Sequence, residues 1–336
     1  MLDDERGGRN GRRVFLSAAS ALGAAGLLGL PRASCAEAPP EVRKIRLLHT
    51  PAVCLAPQYL AEDLLRMEGF TDVEYVAIAR PGSEVLAAAG ADLSMYDVPS
   101  LLPVIDAGKP VVVVAGVHAG CYELVANERL RTIRDLRGKR IATTGYGDSD
   151  NVLLSSMLAY VGVNPRTDVE WVIAERPASL FVEGRADAFL GFAPQPHELR
   201  RKHIGHVIVN TAQDRPWSQY FCCVVAGNKE FVRANPAATK RAIRAILKAA
   251  DICAQEPERA ARYMAEKGYE KRYDIGLEVL KELPYHRWRD ASPEDTLRFH
   301  ALRLHEVGMI KSTPQQIIAQ GTDWRFFNEL RRELKA

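Results

Sequence analysis

The chain has 336 residues, a formal net charge of +3 and 47% hydrophobic residues, enough for one large domain or two ordinary ones with a full core. Nothing in the near-neutral balance, with no basic run outside the first 36 residues, suggests a nucleic-acid partner. No internal repeat or low-complexity tract stands out beyond the short Ala-Pro linker from Ala36 to Pro40.

Residues 1–36 read as an export signal to be set aside from the fold. Arg12-Arg13 precedes Val14-Phe15-Leu16, and a run of small and apolar residues continues to Leu30-Pro31. This resembles a twin-arginine (Tat) signal. A membrane span needs about 20 apolar residues. Val14 to Leu30 is shorter and is diluted by Ser17, Ser20, Gly23, Gly26 and Gly29. Ser34 and Ala36 suit cleavage after Ala36; lipidation of Cys35 is the alternative, against which stands Arg32, where lipoprotein signals want an aliphatic residue. The signal carries five arginines against three acids, so its removal leaves +1. Cys54, Cys121, Cys222, Cys223 and Cys253 remain. In an oxidising compartment, an odd count leaves at least one thiol unpaired. With no CxxC pair and no His-x-x-x-His spacing, no preformed metal site is signalled.

Lys44 to His49 predicts a buried opening strand, followed by the turn Thr50-Pro51 and a helix from Pro57 to Met67 that ends at Gly69. Val73 to Ile78 is a second strand. Pro81-Gly82-Ser83-Glu84 starts a helix that stops at Gly90, and Leu93 to Val98 is a third strand that delivers Tyr96 and Asp97 to its carboxyl end. Ser100 to Ala107 is helical, and the fully apolar Val111 to Val117 predicts a central parallel strand. Cys121 to Asn127 is a further strand, leaving this first α/β unit.

The segment Thr132 to Pro196 is a second α/β unit. A short turn, Ile133 to Leu136, leads into the strand Arg140 to Thr144, and the bend Gly145 to Gly147 opens a helix that stops at Gly162. A strand (Val169 to Ala174), a helix (Pro177 to Val182) and a strand (Ala186 to Phe192) follow. Such alternation predicts parallel pairing with a ligand crevice at the carboxyl ends of the strands. His206 to Thr211 ends this unit, and Gln219 to Ala226 returns to the first. Beyond Gly227 the chain turns helical, with starts at Asn235-Pro236, Pro257, Tyr273, Ser292-Pro293, Thr313-Pro314 and Trp324. Lacking strands, this region is expected to pack on the first unit.

Asp135-Leu136-Arg137-Gly138-Lys139-Arg140-Ile141, then Gly145-x-Gly147, then Val161-Gly162-Val163-Asn164-Pro165, resembles the periplasmic solute-binding proteins of nitrate, sulfonate and taurine ABC importers and their relatives in thiamine-pyrimidine metabolism. Glu183-Gly184-Arg185-Ala186-Asp187-Ala188 fits the same pattern. The resemblance implies a two-lobed α/β clamshell of the type II kind, each lobe a mostly parallel sheet flanked by helices. Residues 43–126 with 226–336 would form lobe 1 and residues 127–225 lobe 2. It further implies a periplasmic, monomeric receptor that delivers one small solute to an inner-membrane permease, with no catalytic role, cofactor or nucleic-acid partner.

Strand ends and helix starts supply ligand contacts in this fold. They nominate His49, Thr50, Tyr96, Asp97, His118, Tyr146, Ser149, Asn151, Phe192, Gln195, Trp217 and Tyr220. The bend carries Asp148 and Asp150, where anion-binding members present glycines and hydroxyls to an oxyanion. If either acid faces the crevice, the expected ligand is a neutral or zwitterionic heterocycle or an amine; the bland alternative has Asp148 as a helix cap and Asp150 facing solvent. Ala193-Pro194 also departs from the Glu-Pro of many relatives. Two other readings stay open. One is an enzyme of the thiamine-pyrimidine type, for which Phe221-Cys222-Cys223-Val224 is a faint cue; yet adjacent strand residues point to opposite faces, so both thiols would not reach one metal. The other is a periplasmic metal or thiol-ligand binder that uses Cys54, Cys121, His49, His118 and Met95.

Overall fold

Strand β1 (Lys44–His49) pairs in parallel with β2 (Asp72–Ala77), with helix α1 (Ala56–Met67) between them in the chain, the first βαβ unit of an α/β fold. In the computed structural model, residues 37–335 are described apart from 51, 79 and 80; the expected export signal, with Cys35, and the turn residue Pro51 lie outside them. The chain separates into residues 1–38 and a body from Pro39 onward, and that body carries every described strand and helix. Among the described residues no helix is long and apolar enough to cross a membrane.

Helix α2 (Gly82–Ala87), strand β3 (Leu93–Asp97), helix α3 (Val98–Asp106) and strand β4 (Val111–Ala119) come next in order. Every residue of β4 is buried, as its unbroken apolar run requires. The neighbour of both β3 and β4 is β10 (Phe221–Asn228), which returns from far along the chain and runs antiparallel to each. The second sheet has the order β7-β6-β8-β5-β9, from β5 (Tyr122–Ala126), β6 (Arg140–Thr143), β7 (Glu170–Ile173), β8 (Ala188–Phe192) and β9 (His206–Asn210). Here β6 runs parallel to β7 and β8, while β5 runs antiparallel to β8 and β9.

Two expectations are corrected by this pairing. The sheets are not mostly parallel: the three-stranded one is antiparallel throughout and the five-stranded one is mixed, because the strands that cross between them, β5 and β10, enter against the grain of the βαβ units. Tyr122–Ala126, expected to close the first lobe, belongs instead to the five-stranded sheet. The chain passes from one sheet to the other at Gly120. That residue sits at φ +67°, and a Cβ there would lie 2.2 Å from the Ala212 Cα. Gly120→Ala is therefore expected to cost about 3 kcal/mol, from left-handed backbone strain plus overpacking against main chain, read as a lower urea midpoint.

The second unit carries α4 (Ser149–Tyr160), α5 (Pro177–Val182) and α6 (Gln195–Arg201). The α6 helix was not expected from the sequence. The helical tail comprises α7 (Lys229–Ala234), α8 (Pro236–Gln255), α9 (Pro257–Glu266), α10 (Tyr273–Glu282), α11 (Pro293–Glu306), α12 (Pro314–Gly321) and α13 (Arg325–Glu333). Thr313 and Gln316 form the capping box that starts α12. Asn235 does not cap α8: its amide donates to the Phe231 carbonyl, and the Glu41 carboxylate accepts from Ala237 N–H (2.9 Å) and Ala238 N–H (2.8 Å). A carboxylate there meets both free amides and the positive end of the helix dipole.

The tail packs on the first sheet, through α8 against α1 and through α12 and α13 against β4. It also bridges to the second. Helix α11 packs on α4, where the buried Ser156 hydroxyl and His300 Nδ1 are 2.9 Å apart. An ion-pair cluster joins α6 to α10: Arg200 and His197 both reach Glu282 at 3.1 Å, and Arg201 reaches Glu278 at 2.6 Å.

Candidate functional site

Strand β1 and strand β3 share no backbone ladder; Arg46 and Asp92 tie their first halves through Arg46 N–H to Asp92 Oδ2 (2.8 Å) and Asp92 N–H to the Arg46 carbonyl (2.9 Å), and one buried side chain joins their far ends. Gln58 of α1 donates from Nε2 to the Leu48 carbonyl at 2.8 Å, and its Oε1 accepts from Ser94 Oγ (2.9 Å) and Met95 N–H (2.6 Å). Just beyond β1, the Tyr59 hydroxyl accepts from Thr50 N–H and donates to the Thr50 carbonyl. These bonds fix the two strand ends side by side, and a cavity of about 890 Å³ opens over them.

Asp97 ends β3 and caps α3. Its Oδ2 accepts from Ser100 N–H (3.1 Å) and Ser100 Oγ (2.5 Å), while Oδ1 accepts from Ser149 Oγ at 2.5 Å. Ser149 opens α4 on the other sheet, so this bond spans the crevice. Burial raises the Asp97 carboxyl above its ordinary pKa, against the Ser100 and Ser149 hydroxyls that favour the carboxylate. Its neighbour Tyr96 accepts from Gly82 N–H at 3.0 Å and is pushed up to about 12, first by burial and then by the Asp97 charge.

On the opposite wall, Asp150 turns back onto the end of β6. It accepts from Thr143 Oγ1 (3.0 Å), Thr144 N–H (2.8 Å) and Thr144 Oγ1 (2.7 Å), is buried, and has its pKa raised by that burial against those donors. The reading in which Asp150 faces solvent is thereby corrected. Asp148 stands at the N-cap position of α4 with no side-chain capping bond and lines the cavity half-buried. Glu175, beyond the end of β7, is the fourth carboxylate at the cavity. Among the described residues that line it there is no lysine, arginine or histidine. Tyr122 and Phe192, edge to face at 5.5 Å, make an apolar wall.

Six of the twelve nominated residues come together around this space: Thr50, Tyr96, Asp97, Ser149, Phe192 and Gln195. The other six do not line it. His49 packs against Tyr59 and Tyr269 behind the strand end. Tyr146, 70% exposed, points into solvent from the tip of the bend. Asn151 is buried and accepts from Gly147 N–H, bracing the loop. Trp217 and Tyr220 pack with Tyr160 and Phe299 on the side facing α11. His118 is fully buried against Tyr285. The missed liners Ser100, Thr144 and Glu175 also lie at strand ends or helix starts, at positions the sequence reading did not nominate. Cys54, Cys121 and Cys223 also line the cavity. No local spacing marks them.

Two α/β units with a crevice at their strand ends, joined by antiparallel crossing strands and backed by a helical tail, define the fold of the extracytoplasmic solute-binding proteins. A sequence profile described as "NMT1/THI5 like" matches residues 68–260, and the chain belongs to that family. Among solved structures, the periplasmic nitrate-binding protein NrtA from Synechocystis PCC 6803 superposes with a TM-score of 0.73 at 16% identity, over 89% of this chain and 90% of that one. The alkanesulfonate-binding protein SsuA from Xanthomonas axonopodis pv. citri, bound to MOPS, gives 0.67 at 18%, over 84% and 99%. The aliphatic sulphonate-binding SsuA from Escherichia coli gives 0.64 at 17%, over 85% and 94%. At these identities the likeness concerns the fold. No curated protein sequence matches.

Proposed function

We propose that the protein is an exported, monomeric receptor that closes around one small solute carrying an amine or a basic heterocycle and hands it to an ABC importer permease. The observation that carries the choice of ligand is the charge of the crevice. Asp97, Asp148, Asp150 and Glu175 line it, with no cationic side chain among the described liners. At an effective dielectric constant of 20, a carboxylate about 4 Å from an anion costs on the order of 4 kcal/mol, and the same carboxylate favours a cation by a like amount. Nitrate and simple sulfonates are therefore disfavoured, and a positively charged or zwitterionic group beside Asp97 is favoured. The Tyr122–Phe192 wall offers an apolar face for the rest of the molecule.

The family and fold support this reading, as does the placement of Gly120 and Phe221 at two adjacent crossings between the sheets. Residues up to Gly120 with those from Phe221 onward would form one lobe and the stretch between them the other. Export through the twin-arginine route is part of the proposal and rests on Arg12-Arg13 and the segment after it. Thermal denaturation against a panel of amines, N-heterocycles, amino-acid derivatives and sulfonates tests the ligand class. Cationic members are expected to raise the melting temperature through preferential binding to the folded state. A response confined to sulfonates or nitrate would overturn it.

A further inference from the structure

Four cysteines from three separate stretches of the chain meet beside the crevice, and three of them, Cys54, Cys121 and Cys223, line it. Cys54 lies in the 3-10 turn after β1, Cys121 between β4 and β5, and Cys222 and Cys223 at the start of β10. His118, next to the last residue of β4 before the crossing, joins them. Donor atoms of Cys54, His118 and Cys223 all lie within 4.8 Å of one another, and so do the sulfurs of Cys121, Cys222 and Cys223.

Two observations set this cluster apart from apolar cysteines that merely fill a core. His118 is completely buried; Nδ1 lies 3.2 Å from the Ala119 carbonyl, while Nε2 makes no well-formed hydrogen bond and has only the Cys223 and Cys54 thiols as polar company. A buried ring nitrogen left unpaired is unfavourable. A carbonyl on the other nitrogen is the contact that fixes the tautomer and orientation of a metal-binding imidazole. The second observation is the break in register of β10 against β4 between Phe221, Cys223 and Val224. In a regular strand, Cys222 and Cys223 would point to opposite faces; the bulge re-aims them, and their sulfurs converge. This reverses the expectation that the two thiols stay apart.

We propose that Cys54, His118 and Cys223 bind a thiophilic closed-shell ion, Zn(II) or Cu(I), with the next coordination position facing the crevice. Two thiolates and an imidazole are the donor set such ions select, whereas Mg(II) and Ca(II) require oxygen ligands. Cys54 and Cys223 both line the cavity, so the ion would form part of its wall and offer a bond to a solute with a nitrogen or sulfur donor. Cys121 and Cys222, their sulfurs 2.7 Å apart, stand beside the ion and outside its primary set.

The full chain, reduced with a phosphine, is titrated without oxygen in two arms: Co(II) as a spectroscopic stand-in for Zn(II), and Cu(I) in competition with a chromophoric chelator. About one equivalent is expected to bind in at least one arm, with a thiolate-to-metal charge-transfer band, and the tighter arm identifies the ion. Cys54→Ser and Cys223→Ser are each expected to weaken binding roughly 100-fold and His118→Gln at least about tenfold, while Cys253→Ser, in the core of α8, leaves it unchanged. Circular dichroism of each metal-free variant checks the fold; where serine unfolds the chain, alanine replaces it. Native mass spectrometry of the loaded wild type should show one bound metal, its mass offset by two displaced protons for Zn(II) or Co(II) and by one for Cu(I). No binding in either arm overturns the proposal. So does affinity that survives Cys54→Ser and Cys223→Ser, or that vanishes with Cys121→Ser and Cys222→Ser instead.

Discussion

Asp97→Asn is expected to weaken the binding of a cationic amine by about three decades, while the affinity of a neutral heterocycle moves far less. Asparagine keeps the shape of the side chain and an oxygen for the Ser100 N–H that opens α3, and it is among the best N-cap residues, so the fold should tolerate the change. What disappears is one buried negative charge. At about 4 Å and an effective dielectric constant of 20 that charge is worth on the order of 4 kcal/mol to a cation, which is close to three decades. Asp148, half-buried and without a side-chain capping bond, is better screened, so Asp148→Asn should cost about one decade. Calorimetric titration of both variants with the same amine checks the order. Unchanged amine affinity in Asp97→Asn would sink the electrostatic reading of the crevice.

Acid should destabilise the protein through His300. This residue is buried in α11 beside Ser156, Phe299 and Tyr220, and burial depresses its pKa from the ordinary 6.5 to about 3. The unfolded chain takes up a proton below pH 6.5 that the folded chain refuses until about pH 3. The stability that depends on neutral His300 is therefore complete above pH 6.5 and is lost as pH falls through that window. At about 1.4 kcal/mol per pH unit the loss is about 2 kcal/mol by pH 5 and approaches 5 kcal/mol near pH 3. His300→Gln should be less stable than the wild type at pH 8 and should lack this part of the slope. Urea midpoints measured between pH 8 and pH 5 give the comparison; parallel slopes for both chains would refute it. Because His300 meets Ser156 where α11 packs on α4, the acid-labile contact is also one of those joining the tail to the second sheet.

Much of this fold was legible in the sequence because its elements are punctuated chemically. The apolar run at Val111 reads as a buried strand, Thr313 with Gln316 as a helix start, and Asp97 as a residue at a strand end facing a crevice. Strand direction was not legible: an apolar run has the same composition whichever way it runs, so the antiparallel crossings of β5 and β10 emerge only from the pairing. Helix α6 was hidden behind Pro194 and Pro196, although Glu198 in its first turn and Arg200 and Arg201 in its last suit the helix dipole. Within the site, His118, Trp217 and Tyr220 lie in or beside strands that border the crevice, but their side chains leave on other faces. A one-residue error in placing a strand end is enough to turn a lining residue into a core residue. The cysteine cluster was legible only in part: Cys54, Cys121 and His118 could be nominated and Cys222-Cys223 stand together, but no spacing shows that these three stretches meet, because they do so through tertiary contacts and a bulge.

The central place of β10 also bears on the order in which the protein can be made. Strands β3 and β4 meet only through it, and it begins at Phe221. The cap that Glu41 lends to α8 likewise waits for Ala237, 196 residues later. A ribosome that has delivered the first two hundred residues has therefore made two strands with unsatisfied edges and no partner between them. Such intermediates are slow to mature and prone to pair with other chains. Completing the sheet before the chain leaves the compartment of its synthesis would remove that exposure, and the twin-arginine route is one by which a finished fold can travel.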